Sequence, residues 1–90
     1  MNVTFRLAEH VVCRQTNTDL RMLFDRSKGV MYELNESASA VVGQLNQAPA
    51  SVEGLSDALL GEFDAEPSEI RADVSSLLAD FLDAGLVVQE

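Results

Sequence analysis

At Leu34-Asn35 the periodicity of this chain changes. Ahead of that point Val30, Tyr32 and Leu34 alternate with Met31 and Glu33, the two-residue period of a half-buried strand. Behind it Ala38, Val41, Val42 and Leu45 recur at helical spacing. Asn35 is a favoured N-cap, and Glu36 stands where the helix dipole favours an acid. A strand therefore ends where a helix begins, with no linker between them.

The residues before this switch read as strands. Val11 to Arg14 is short, β-branched and half apolar, and Gln15 to Asp19 is a polar turn. Leu20, Met22 and Phe24 alternate with Arg21, Leu23 and Asp25. Asp25 to Gly29 is a second turn, with Gly29 free to take positive φ. Short connections of this kind predict an antiparallel meander. After Asn35 the sequence reads as three helices. Asn46 to Ala50 breaks the first, with Pro49 as punctuation. Ser51 caps the second, whose apolar positions are Val52, Leu55, Leu59 and Phe63. Pro67 suits the first turn of the third, which carries Ile70, Val74, Leu77, Leu78 and Phe81. Gly85 supplies a left-handed stop, Leu86 folds back on the last turn, and Leu86 to Val88 can form a terminal strand. The expectation is one α+β domain over residues 1–90, winged-helix-like, with a three-stranded antiparallel N-terminal sheet followed by three helices. Val30 to Leu34 is a candidate edge strand, whose unpaired N–H and C=O groups must be managed or used.

Size and charge exclude several functions. Ninety residues bury a thin core, with little room for a deep catalytic cavity. The net charge of −9 opposes nucleic acid, where affinity comes largely from Lys and Arg on phosphates, and opposes an anionic membrane surface. The charge is uneven: residues 1–30 hold five bases against three acids, and residues 31–90 hold Arg71 alone against twelve acids. That acidic surface is either simply solvated or steers a basic partner. The single cysteine, Cys13, permits no internal disulfide and suits a reducing cytosol. No apolar run has membrane-spanning length, and Met1 to Arg6 lacks the pattern of a signal peptide. His10 has no second histidine or cysteine pair to make a zinc site with. In an extended strand Cys13 would face away from His10, which argues against a nucleophilic pair. No glycine-rich phosphate loop and no singled-out carboxylate pair is present, so neither an enzyme nor a cofactor protein is expected.

A longer pattern runs through these pieces. It comprises His10-Val11-Val12, Met22-Leu23-Phe24-Asp25 and the run from Lys28-Gly29 through Leu34-Asn35 to Ala38. It continues in Val52-Glu53-Gly54-Leu55, Phe63-Asp64 and Glu66-Pro67-Ser68-Glu69-Ile70, and closes with Asp73-Val74, Leu77-Leu78, Phe81 and Gly85-Leu86-Val87. In order and spacing this resembles the PqqD-like family, whose shared fold is the recognition element for ribosomally made, post-translationally modified peptides. Departures are Val42, where members often carry an aromatic, Leu77, where they often carry Phe, and the polar pair Ser75-Ser76. The resemblance implies binding of the leader segment of a precursor peptide, so that its core is presented to a tailoring enzyme. That enzyme would be a radical SAM protein, a lasso-peptide leader protease or a cyclodehydratase. The leader would add as a strand beside Val30, Met31, Tyr32 and Glu33 and lie against the third helix. At about 100° per residue, the core stripe of that helix centres between Val74, Leu77 and Phe81, leaving Leu78 and Leu82 as a surplus apolar shoulder beside Arg71 and Ser75. Arg71, Ser75, Leu78 and Leu82 are accordingly the expected helical wall, with Arg71 available to an acidic leader residue.

Other functions remain to be weighed against this one. A carrier protein needs an Asp-Ser-Leu-like serine at a helix start, whereas Leu55-Ser56-Asp57 has the wrong order. A winged-helix DNA binder would have to carry Asp73, Asp80 and Asp83 into a major groove with only Arg71 to offset them. A protein-protein module, whether structural subunit or edge-strand dimer, is compatible with the free strand.

Overall fold

The structure is a computed structural model that describes residues 3–90. Met1 and Asn2, the start of the stretch read for a targeting signal, lie outside the described residues. The chain forms β1 (Thr4–Leu7), β2 (Val11–Gln15), β3 (Arg21–Asp25), β4 (Val30–Glu33), α1 (Glu36–Gln47), β5 (Ala50–Ser51), α2 (Val52–Leu60), α3 (Pro67–Asp83) and β6 (Val87–Gln89). The α+β class and the order of meander then three helices are as the periodicities predict. The sequence pattern does not reveal that β1 and β5 join β6 in a second small sheet of order β5-β1-β6. β5 has only two residues, and the pairing of both strands is long-range. An Arg6–Glu90 ion pair of 2.6 Å ties the ends of this sheet.

The meander is the sheet β2-β3-β4, antiparallel throughout. Its inward phase on β3 falls on Leu23 and Asp25, both fully buried. Leu20, Met22 and Phe24, the apolar half of the alternation, are only half-buried. Asp25 can face inward because its Oδ1 accepts from the N–H groups of Ser27 (2.9 Å) and Lys28 (3.0 Å), which closes the turn to β4. Gly29 completes that turn at φ +68°.

The helix boundaries follow their caps. Asn35 accepts from Ala38 N–H at the start of α1, and Ser51 accepts from Gly54 N–H at the start of α2. α3 ends at Gly85, φ +76°, with Leu86 N–H bonded to Phe81 O and Gly85 N–H to Leu82 O. This is the paired arrangement by which a helix satisfies its last carbonyls. The core gathers Phe5, Leu23, Val41, Leu55, Val74, Leu78 and Val87, drawn from both sheets and all three helices. Phe63 lies beyond the end of α2, half-buried against that core. Ser39 Oγ accepts from Arg21 N–H at 2.8 Å and fastens α1 to β3.

Candidate functional site

β4 is paired on one side only, with β3. In an antiparallel pair the backbone groups of one strand point alternately toward and away from its neighbour. Leu34 N–H donates to Arg21 O at 3.2 Å, and the register couples Leu23 with Tyr32 and Asp25 with Val30. Val30, Tyr32 and Leu34 therefore direct their backbone groups at β3. The N–H and C=O groups of Met31 and Glu33 face the open edge. Side chains follow the other alternation. Tyr32 packs against the core, while Met31 stands 62% exposed on the outer face with Glu33.

α3 lies beside that edge, and two contacts fix their relation. At one end Lys28 Nζ donates to Ala84 O, 3.1 Å away, just past the last turn of α3. At the other end a cleft of about 350 Å³ brings Asn35 and Ser37 together with Asp73, Ser76, Leu77 and Asp80. The turn ahead of β4 thus meets the end of α3, and the residues that follow β4 meet its middle. Val41, Leu59, Val74 and Leu77 give the cleft an apolar lining, and Asn35, Asp73, Ser76 and Asp80 supply its polar groups. Among the described residues neither Asp73 nor Asp80 has an ion-pair partner.

Of the helical wall expected from the sequence, Leu78 is not available at the surface: it is a core residue, 1% exposed, so its side chain is closed to a ligand. Arg71, Ser75 and Leu82 are on the surface, but at 3.6 residues per turn they stand about 120–160° round α3 from Leu77. The shoulder facing Asn35 carries Asp73, Leu77 and Asp80 instead. Val74 and Phe81 stay buried as expected, but Leu78 rather than Leu77 completes the stripe, which leaves the Leu77 margin open. Asp73 was visible in the sequence as part of the Asp-Val pair but was not assigned to the groove. Leu77 was assigned to the core, yet it is half-buried and lines the cleft.

A larger cleft, about 520 Å³, opens between the start of β3 and α1. Asp19, Arg21, Glu36 and Glu62 line it, and Phe63 is its one large apolar side chain. It borders no free strand edge. Among the described residues no group of histidine, cysteine and acidic side chains is placed to hold a metal ion, and no helix is long and apolar enough to cross a membrane.

The family model for coenzyme PQQ synthesis protein D (PqqD) matches residues 21–87, from the start of β3 to the start of β6. The chain belongs to the PqqD family. Comparison with curated proteins gives no match. Two solved structures share the PqqD-family fold seen here. One is described as "TbiB1 in Complex with the TbiA(beta) Leader Peptide", with TM-score 0.83, 18% identity, and coverage of 91% of this chain and 93% of that one. The other is described as "Lasso peptide synthetase B1 complexed with the leader peptide", with TM-score 0.79, 24% identity, and coverage of 93% and 96%. β1 and β2 lie outside the stretch that the PqqD model matches, whereas β5 and the start of β6 lie within it.

Proposed function

We propose that this protein binds the leader segment of a ribosomally synthesised precursor peptide and presents the core to a separate tailoring enzyme. The observation that carries the reading is the free edge of β4, which leads at Asn35 into a partly apolar cleft against α3. An extended leader would pair with the backbone groups of Met31 and Glu33, gaining affinity from main-chain hydrogen bonds. It would set its register by placing one apolar side chain against Leu77. Family membership and the two fold relatives, both solved with leader peptides, support this mode over an edge-strand dimer. The protein itself contributes no reaction. It raises the local concentration of core peptide at a cytosolic enzyme of the radical SAM, leader-protease or cyclodehydratase kind.

The test is an NMR titration of labelled protein with leader peptides encoded beside its gene. The reading expects shifts concentrated at Met31, Glu33, Asn35, Asp73, Leu77 and Asp80. Shifts confined to the face of Arg71, Ser75 and Leu82 would move the groove. An absence of shifts at peptide concentrations far above micromolar would end the leader-binding reading.

A further inference from the structure

The groove has a chemical bias that its shape alone does not impose. Asp73 and Asp80 flank Leu77 on the shoulder of α3 that lines the cleft, and neither carboxylate is paired within the described residues. Arg71, the only base of residues 31–90, is on the other side of the helix. An occupant of this end of the groove therefore meets an apolar pocket bracketed by two uncompensated negative charges. Charge sign is a strong discriminator at such a rim, because a like charge there is disfavoured as well as an opposite one attracted.

Spacing turns the bias into a pattern. Along a helix Asp73 lies about 6 Å before Leu77 and Asp80 about 4.5 Å after it, at 1.5 Å per residue. In an extended strand, side chains on one face recur every second residue, about 6.8 Å apart. A strand that seats an apolar residue against Leu77 thus carries its residues at −2 and +2 past Asp73 and Asp80. A lysine or arginine there reaches either carboxylate with its long flexible stem. We infer that this groove selects leaders in which an apolar anchor is flanked at −2 or +2 by lysine or arginine, with Asp73 and Asp80 as the specificity-determining residues. The inference rests on the leader-binding reading above and adds the class of leader.

A displayed library of random twelve-residue peptides, selected against the full chain and against its D73N/D80N and L77R variants, separates the two ideas. The expected result is enrichment of an apolar residue with a base two positions away, losing the base but keeping the apolar residue on D73N/D80N. Synthetic peptides from the enriched set, with the base changed to glutamine, should bind the parent protein about 1.5- to 5-fold more weakly, as one exposed ion pair allows. The gap should narrow as salt rises toward about 1 M. Enriched peptides that need Leu77 but show no preference for a base would overturn this inference and leave leader binding standing. A base preference unchanged on D73N/D80N would overturn it equally. If no peptide is enriched on the parent protein, both fall. Amide spectra of each variant establish that it is folded before its selection is read.

Discussion

Oδ2 of the fully buried Asp25 lies 3.7 Å from Nε2 of His10, while its Oδ1 holds the N–H groups of Ser27 and Lys28. The pair joins the entrance of β2 to the turn that launches β4. Oδ2 has no hydrogen-bond partner within reach, so the carboxylate is retained in the core chiefly for what Oδ1 does.

Asp25→Ala should cost about 1–3 kcal/mol, since it strips the acceptor from two backbone donors in the turn. Asp25→Asn keeps that acceptor and should cost less. His10→Ala should cost under about 1 kcal/mol, because the imidazole is only partly buried and stands beyond hydrogen-bond range of Asp25. Urea midpoints for the three variants test the order, and an Asn variant as unstable as the Ala variant would refute it.

Leu77 and Leu78 are adjacent but should behave oppositely. Leu78→Ala empties a core site and should cost about 2–5 kcal/mol. Leu77→Ala should leave a more stable protein that has lost most of its affinity for leader peptide. Melting curves and peptide titrations on the same two samples decide the matter. Equal loss of stability would return Leu77 to the core stripe.

Proline scanning of β4 tests which backbone groups face outward. Met31→Pro removes an N–H from the free edge, where proline is tolerated. It should keep the fold and weaken leader binding by about 2- to 10-fold, the net worth of one hydrogen bond. Tyr32→Pro removes an N–H directed at β3 and should destabilise the sheet. The amide spectra of the two variants are the readout, and an intact sheet in both would contradict the assignment.

Gly43 sits inside α1, where alanine would favour the helix by about 1 kcal/mol. A β-carbon there would stand 3.0 Å from Nε of Arg21, which crosses over the glycine. Gly43→Ala should therefore stabilise the protein more in an Arg21→Ala background than alone. A double-mutant cycle measures the coupling, and strict additivity would show that the Arg21 side chain moves aside freely.

Much of this architecture was legible because local signals agreed with packing. Asn35, Ser51, Pro67 and Gly85 marked the helix ends, and each performs its expected role. The faces were harder to assign. Alternation on β3 shows two sides but not which is inner, and burial of Asp25 depends on a turn that no period records. On α3, Ile70, Val74, Leu77, Leu78 and Phe81 span a broad apolar arc. Which margin stays open is decided by where β4 and α1 lie, a tertiary fact. The cleft on that margin carries Asp73 and Asp80, so the groove proposed here is acidic where the sequence pattern offered Arg71. The small β5-β1-β6 sheet was missed for the same reason: only its terminal strand is marked locally, and its pairing joins residues far apart in the chain.

β4 is held at both ends, by the Asp25 turn and Lys28 on one side and by the Asn35 cap on the other. Four residues stretched between such anchors have little conformational freedom left to lose. The entropy of forming a new strand then falls almost wholly on the incoming peptide. Leaders that are already extended in solution, through proline or β-branched residues flanking the anchor, should associate more tightly than glycine-rich ones with identical contacts. Discrimination among precursors would then depend on the stiffness of the leader as well as on its side chains.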